Sequence, residues 1–328
     1  MATVDGRMPR SQRQYVQPVM PTSFQPFQHP RLVSQPPEGK GWVHQIKFDG
    51  YRMQANVGGG SVRIFTRNGY DWTDKLPALA ADLAELPPCI LDGELCAVSA
   101  NGQSNFSALR KSLNRRDSGE LVFFVFDILW GKGEDLRPYP LSARQAVLEE
   151  VLGVSHSDRL RHVESFELHG PSLYQSACLM GLEGLVSKRL DAPYRAERGA
   201  GWEKSKCRPS QEVVIGGWKQ EPMRPFKGLL VGVYDGGKLT YAGSIKAGFG
   251  SASDLLKRLE ALEVPVSPFQ AGEPPRKTSE IHWVRPQLVA AAEISEWTGS
   301  GKLRQASFKG LREDKRPEEV VRERPSTG

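Results

Sequence analysis

Long apolar runs are missing from this chain. The longest, Leu121 to Trp130, is interrupted by Asp127 and falls far short of the ~20 residues that a bilayer-spanning helix needs. The opening stretch MATVDGRMPRSQRQYVQP has no apolar segment behind its basic residues, which argues against a secretory leader and for an intracellular protein. Cysteine is scarce. The four, Cys89, Cys96, Cys178 and Cys207, show no C-x-x-C spacing, so reduced, buried thiols are expected rather than a disulfide framework or a zinc site. The six histidines are scattered without metal-ligand spacing and read as solvated or hydrogen-bonded imidazoles. No internal repeat is present. Acidic residues fall short of basic ones, 38 against 44, for a net charge of +6 and a pI near 9.1. A polyanionic partner fits that balance, although the balance alone does not identify one.

What remains is a globular composition, 39% apolar and 25% charged, spread over 328 residues. That is too long for one compact domain and comfortable for two with a cleft between them. Residues 1 to 40 are rich in proline (Pro18, Pro21, Pro26, Pro30, Pro36, Pro37) and poor in aliphatics, so an arm without a core of its own is expected there. From Trp42, the runs WVHQIKF, YRMQANV and SVRIFT alternate with turn residues such as Asp49-Gly50 and Gly58-Gly59-Gly60, predicting an antiparallel meander. Helical periodicity follows over Asp74 to Leu86, Phe106 to Leu113, Ser142 to Leu152 and Ser172 to Leu182. Between these lie the strand candidates CILDGELCAV, LVFFVFDILW and GLVSKRL. After Lys206 the strands EVVIGGWK, GLLVGVYD and KLTYAGSIK, a capped helix from about Ser251 to Leu262, and strands resuming near His282 suit a small Greek-key barrel of the OB type. The organisation expected is therefore α+β: an arm at 1–40, a first domain at 41–210, a barrel at 211–317 and a solvated charged tail at 318–328. Gly299-Ser300-Gly301-Lys302 imitates part of a phosphate-binding loop, but Leu303 stands where Ser or Thr is required, and a hairpin turn is the better reading.

The chemistry centres on Lys47-Phe48-Asp49-Gly50-Tyr51-Arg52, a lysine at a predicted strand end followed by a tight turn. An amine attacks phosphorus only when neutral, and a partly desolvated site crowded with cations lowers its pKa toward that form. Taken alone, K-x-D-G is a hairpin with a solvated lysine. It does not stand alone. In order come Thr66-Arg67-Asn68-Gly69, Leu91-Asp92-Gly93-Glu94, Phe124-Val125-Phe126-Asp127, Glu183-Gly184-Leu185-Val186-Ser187-Lys188, Trp202-Glu203-Lys204-Ser205-Lys206 and Phe308-Lys309-Gly310-Leu311-Arg312-Glu313-Asp314-Lys315. With this ordered set, over about residues 20 to 317, the chain resembles the ATP-dependent DNA ligases of the bacterial end-joining type, within the covalent nucleotidyltransferase superfamily.

That resemblance implies a nucleotidyltransferase (adenylation) domain of antiparallel sheets with flanking helices, followed by the OB-fold domain. It makes Lys47 the nucleophile that takes AMP from ATP, with Gln45, Ile46, Arg52, Arg67, Glu94, Phe126, Glu183, Lys204 and Lys206 lining the nucleotide site. Glu94, after an Asp-Gly turn, and Glu183 are hard oxygen ligands suited to Mg2+, or to Mn2+. Lys204 and Lys206 alternate by two along one strand and so share a face, where they would meet the α-phosphate. Phe126 would stack on adenine, with Asp127 on the opposite face of its strand. Trp202 reads as a packing residue. Arg312, Asp314 and Lys315 would orient the pyrophosphate when the second domain closes. Bland readings stand beside each: Glu183 a surface acid, the lysines a solvated edge strand, Phe126 core, either arginine a surface group. Many relatives carry Glu two residues before the nucleophile where this chain has Gln45. Contacts there run largely through backbone, so an altered nucleotide preference is the most that change implies.

The resemblance thus predicts a DNA ligase that seals 5'-phosphate to 3'-hydroxyl in nicked or broken duplex DNA, in DNA repair. The expected setting is a bacterial cytoplasm, close to the nucleoid, as a monomer with no membrane partner and with a Ku-type end-binding protein as a possible companion. The alternatives are an RNA ligase or RNA-capping guanylyltransferase sharing Lys47, and a nucleic-acid-binding module without turnover. The chain has no room for the polymerase and phosphoesterase domains that can accompany this ligase type, so a free-standing enzyme or a fragment is expected.

Overall fold

The computed structural model describes residues 19–99, 102–115, 119–221, 224–249 and 252–325. The first 18 residues of the expected arm, Ser251 at the expected start of the capped helix, and the last three residues of the expected tail lie outside them. In the first part of the chain the elements are β1 (His29–Leu32), β2 (Trp42–Ile46), β3 (Tyr51–Gly58), β4 (Ser61–Thr66), α1 (Pro77–Leu83), β5 (Cys89–Ala97), α2 (Phe106–Arg115), β6 (Leu121–Gly131), β7 (Glu134–Asp135), α3 (Leu141–Leu152), β8 (Leu160–His162), α4 (Gly170–Leu179), β9 (Gly184–Arg189) and β10 (Arg198–Lys206). The second part holds β11 (Ser210–Glu221), β12 (Arg224–Asp235), β13 (Lys238–Ile245), α5 (Ala252–Glu260), β14 (Glu263–Val264), β15 (Ile281–Glu293), β16 (Glu296–Trp297), β17 (Leu303–Arg304) and β18 (Ser307–Leu311). None of the described helices is long and apolar enough to cross a membrane.

Three main sheets result. One has the order β1-β10-β9-β2, a second β4-β3-β5-β6-β7 with β8 beside β6, and a third β13-β12-β11-β15-β14 with β18 beside β15. Strands β5 and β6 are buried along nearly their whole length, because both faces of the second sheet are covered. One face packs Tyr51, Met53 and Phe123 against Leu79, Leu83, Leu109 and Leu148 of the helices. The other sets Ile90, Leu129 and Trp130 against Tyr194 and Trp202 of the first sheet's segment. The third sheet has its own core around Val231, Trp283 and Val289, with α5 contributing Leu255 and Leu259.

The expected meander is not formed. β2 pairs with β9, whereas β3 and β4 form a hairpin that pairs onward with β5. Asp49-Gly50 is therefore no hairpin turn; it carries the chain from one sheet to the other. Glycine is required at 50, since a Cβ there would sit 2.7 Å from the Cys96 sulfur. Asp92-Gly93 is not a turn either. It lies inside β5, where a Cβ on Gly93 would sit 2.6 Å from the Phe123 ring. The predicted helix at 74–86 is split by Pro77 into a short 3-10 turn and α1, as a proline lacking its amide donor dictates. The Gly299–Lys302 stretch does form the turn of the β16–β17 hairpin.

Three other expectations are overturned. Residues 27–32 are not a free surface arm: Phe27 and Gln28 are buried and β1 runs parallel to β10. Residues 318–325 are not a solvated tail: Val320 is buried, and the Tyr234 amide donates to the Val320 carbonyl at 2.7 Å. Cys178 and Cys207 are joined in a disulfide, because the end of α4 lies beside the residue after β10, with Cα atoms 5.1 Å apart. Cys89 and Cys96 are free and buried, as expected.

Beneath the second sheet, Asp127 and Arg144 are both fully buried and pair through two hydrogen bonds of 2.7 and 2.8 Å. Arg144 also donates to the carbonyls of Tyr139 and Ala192. Removing one partner strands a charge in low dielectric, which costs about 3–5 kcal/mol, whereas replacing both with apolar groups costs far less. Arg144→Met is therefore expected to destabilise the protein by that amount in urea unfolding, and Asp127→Leu/Arg144→Met to recover most of it. Equal losses in the single and double variants would contradict the assignment.

Candidate active site

Between the first and second sheets, roofed by the third, lies a cavity of about 900 Å³. Lys47 follows β2, and its amide donates to the Gly184 carbonyl at 2.9 Å, which fixes the lysine beside the start of β9. Its ammonium reaches Glu183 Oε1 at 2.5 Å. Glu94 enters from β5, opposite Arg52 in the ladder, and Lys204 and Lys206 enter from β10. Gln45, Ile46, Arg52, Arg67, Phe126, Arg312 and Lys315 also face this cavity. Asp314 is held behind Arg312.

The electrostatics differ from the expectation at Lys47. Burial opposes its charge, but the carboxylates of Glu183, Glu94 and Asp49 outweigh that and hold the amine above the ordinary lysine value. The groups nearest Lys47 are acids, not the cations expected. Those acids feel the same burial: Glu94 is pushed up to about 7, and Asp49 up to about 6 by desolvation and by the neighbouring Glu183. A group that draws off this negative charge would bring Lys47 toward its reactive form.

Lys204 and Lys206 share a face as the spacing predicted, and an anion sits between them. It is Glu323, whose two carboxylate oxygens lie 2.8 Å from Lys204 Nζ and 2.9 Å from Lys206 Nζ. Burial, then the adjacent Lys206, brings Lys204 down to about 8 even with Glu323 beside it.

Arg52 does not project freely. It makes a paired contact with Asp92 at 2.9 and 2.6 Å and donates to the Gln28 carbonyl at 2.7 Å. Phe126 is half-buried, with Lys188 Nζ 4.4 Å from its ring centre and Trp202 edge-on to it at 6.0 Å. Trp202 is buried, in keeping with a packing role. Lys188 is desolvated there and held down to about 7. Arg67 is paired at 3.4 Å with the His29 ring, which burial and then Arg67 keep down at about 2, so that ring is neutral. Gln45 donates to the Ser165 hydroxyl at 2.9 Å, so its side chain is occupied within the protein.

The segment after β18 reaches the first part of the chain. Arg312 donates to the Gly50 carbonyl at 3.2 Å and is gripped by Asp314 through bonds of 2.9 and 2.8 Å. Lys315 pairs with Glu212, which burial would raise but Lys315, Arg312 and Arg67 bring down to about 2. The two parts are thus already in contact three residues beyond Lys47.

Sequence reasoning missed Asp92, Lys188, Glu212 and Glu323. Lys188 closes the EGLVSK segment and could have been singled out on that ground. Glu323 carried no signal, because one glutamate in EDKRPEEVVRERP looks like any other.

Among the described residues, no group of three or more His, Cys, Asp or Glu side chains is placed to hold a metal ion. Glu183 Oε2 is nevertheless buried without a hydrogen-bond partner, and Glu94 faces the same space. Two hard oxygen donors, one of them unspent, fit a divalent cation whose shell is completed by phosphate oxygens and water.

Comparison with known proteins gives the family and the fold. A family model described as "ATP dependent DNA ligase domain" matches residues 25–206, and one described as "ATP dependent DNA ligase C terminal region" matches residues 223–315. The chain is 40% identical over 304 residues to the multifunctional non-homologous end joining protein LigD of Pseudomonas aeruginosa, covering 90% of this chain and 36% of that protein. It is 36% identical over 291 residues to the LigD end-joining DNA repair protein of Mycobacterium tuberculosis, covering 86% of this chain and 37% of that protein. The chain therefore spans little more than a third of these curated relatives. Among solved structures, "mycobacterial DNA ligase D complexed with ATP and MES" superposes with a TM-score of 0.67 at 34% identity, covering 91% of this chain and 98% of that one. The fold class is accordingly α+β, a nucleotidyltransferase unit followed by an OB-fold region.

Because Glu183 is the nearest acid to Lys47, Glu183→Gln is expected to lower the pKa of Lys47. At fixed pH 8, labelling of Lys47 by an amine-reactive reagent, read by peptide mass spectrometry, should rise by about tenfold per unit of that fall. An unchanged or slower rate would show that Glu183 does not hold the proton on Lys47.

Proposed function

The chain belongs to the ATP-dependent DNA ligase family, and from that premise we propose that it moves AMP from ATP to Lys47 and then to a DNA 5'-phosphate. The observation that carries this reading is the convergence of Lys47, Glu183, Glu94, Lys204 and Lys206 on one cavity large enough for a nucleotide. In the first step the Lys47 amine, having given up a proton, forms a bond to the α-phosphorus as the bond to pyrophosphate breaks. Lys204 and Lys206 face the phosphoryl oxygens and offset charge that grows in the transition state. Phe126 offers a face for adenine, and Arg67 offers a guanidinium fork for ribose or phosphate oxygens. Arg312 and Lys315, approaching from the second part of the chain, meet the leaving pyrophosphate. A divalent cation held by Glu94 and Glu183 would supply neutralisation of phosphate charge, which also relieves the acids that keep Lys47 protonated.

Next, an oxygen of the DNA 5'-phosphate displaces Lys47 from the adenylate. The 3'-hydroxyl then attacks the activated phosphate, and AMP leaves as the phosphodiester forms. Residues 41–210 would do the adenylating chemistry, and residues 211–317 would close over it and help grip the duplex. The end-joining names of the relatives support a role in break repair inside a bacterial cell, acting as a monomer with a Ku-type companion at DNA ends.

Incubation with α-labelled ATP and Mg2+ is expected to label the wild-type chain and leave Lys47→Ala unlabelled. A chase with 5'-phosphorylated nicked duplex should discharge the label as the nick is sealed. Label that forms without discharge on DNA would point to an RNA substrate, and labelling by GTP in place of ATP would point to capping. Absence of label from protein free of pre-bound AMP would remove the catalytic reading in favour of a binding module. Grip on the duplex through phosphates further predicts a linear fall of log affinity with log salt, and a flat salt response would contradict the clamp.

A further inference from the structure

The segment after β18 enters the nucleotide cavity and neutralises its two phosphate-facing lysines. We propose that residues 317–325 are a built-in competitor for the nucleotide: the Glu323 carboxylate takes the seat of a phosphate group between Lys204 and Lys206 and leaves when ATP enters. The inference takes ATP as the incoming ligand from the function proposed above.

Three observations carry it. The first is the geometry of the clamp. Each carboxylate oxygen of Glu323 meets one lysine, at 2.8 and 2.9 Å, in the way two non-bridging phosphate oxygens would. The clamp lies in the same cavity as Lys47. The second is that the segment is aimed. The Glu323 amide donates to Gln211 Oε1 at 3.1 Å, Gln211 Nε2 donates to the Val321 carbonyl at 2.9 Å, and Arg322 lies over the Trp297 ring at 4.6 Å. These contacts all come from the third sheet and its hairpin, so the carboxylate is delivered by one part of the chain into the site of the other. The third is that the hold is graded along the segment. Val320 is buried in the core of the third sheet, whereas Val321 is half exposed and Arg322 Nε is buried without a partner. Residues 321–325 can therefore lift away while Val320 remains as the pivot.

The physical balance favours exchange over permanent occupancy. A single carboxylate brings one negative charge to two lysines, and a triphosphate brings several. While the carboxylate is seated, ATP sees a site available only for the fraction of time that the segment is away. A segment seated about 90% of the time weakens apparent ATP affinity about tenfold. The device also gives the empty enzyme a compensated pair of lysines rather than two facing, uncompensated ammonium groups.

Equilibrium ATP binding tests the proposal apart from turnover. It would be measured by calorimetry in EDTA on the full chain carrying Lys47→Ala, so that no covalent step intervenes. Adding Glu323→Gln is expected to tighten ATP binding about tenfold. Adding Arg322→Ala instead, which leaves both lysines and Glu323 in place but frees the segment from Trp297, should tighten it in the same direction by a smaller factor. The second variant carries the test if the first does not fold. Unchanged or weaker ATP binding in a folded variant of either kind would overturn the proposal, as would a lack of ATP binding in all of them. Labelling of the Lys47 form by α-labelled ATP is scored separately. A chain that binds ATP more tightly without Glu323 but never forms the adenylate would keep the competitor and lose the ligase chemistry.

Discussion

The arrangement of the cavity depends on how closely β10 approaches β9 at Gly184. That residue has φ of +148°, and a Cβ on it would run into the Ser205 carbonyl, so only glycine lets the two strands meet there. The Gly184 carbonyl also accepts the Lys47 amide. In the same ladder Lys206 stands opposite Gly184 and Lys204 opposite Val186, while the Cys207 amide closes the register on the Glu183 carbonyl at 2.9 Å. One close strand approach thereby fixes Lys47, its nearest acid and the pair Lys204 and Lys206 relative to each other. A side chain at 184 would separate all of them together.

Beneath this seam lies a floor of compensated charge. Asp92 is gripped by Arg52 and by the Tyr194 hydroxyl, and Asp127 is gripped by Arg144. Lys188, between the Phe126 and Trp202 rings, is lowered toward neutrality mainly by desolvation, and Arg144 and Arg52 add to that fall. Such pairs add little net stability over apolar packing, but they hold guanidinium and carboxylate groups in fixed directions at the cavity wall. The uncompensated chemistry is confined to the inner layer, where Lys47 faces three acids. That separation lets an arriving cation or phosphate change the state of Lys47 without disturbing the folded core.

Much of this was legible in the sequence, and the reason is local. Strands with largely apolar stretches, such as LVFFVFDILW, and helices with a 3.6-residue period write their identity into neighbouring residues. Some of the ordered motifs, those at Lys47 and at Lys204–Lys206, likewise sit at strand ends, which short-range patterns locate. What was not legible is long-range. Nothing near Lys47 reveals that β2 pairs with β9, some 140 residues on, rather than with the adjacent β3, so Asp49-Gly50 passed for a hairpin turn. The pKa of Lys47 was misjudged for the same cause, since the acids that set it come from β5, from the residue before β9 and from the turn after β2. Cys178 and Cys207 showed no spacing signal because helix packing, not sequence distance, brings them together. Phe27 and Val320 are apolar residues in polar, proline-rich surroundings, and composition averaged over such windows hid them.

The position of Glu323 follows from a constraint on any cavity built to hold phosphate. Lys204 and Lys206 are fixed side by side on β10 so that they can meet one anion, and burial makes their charges costly when no anion is there. An empty site must shed protons, admit water or borrow an anion from elsewhere in the chain. Lys204, brought down to about 8, shows the first response in part, and the seated carboxylate is the third. Borrowing has a particular merit where two parts of a chain close over a substrate. In the proposed exchange the borrowed anion comes from the segment that trails the third sheet, so nucleotide entry and release of that segment become one step. The same lysines then serve the closed, empty enzyme and the loaded one, with the occupant of a single seat distinguishing the two.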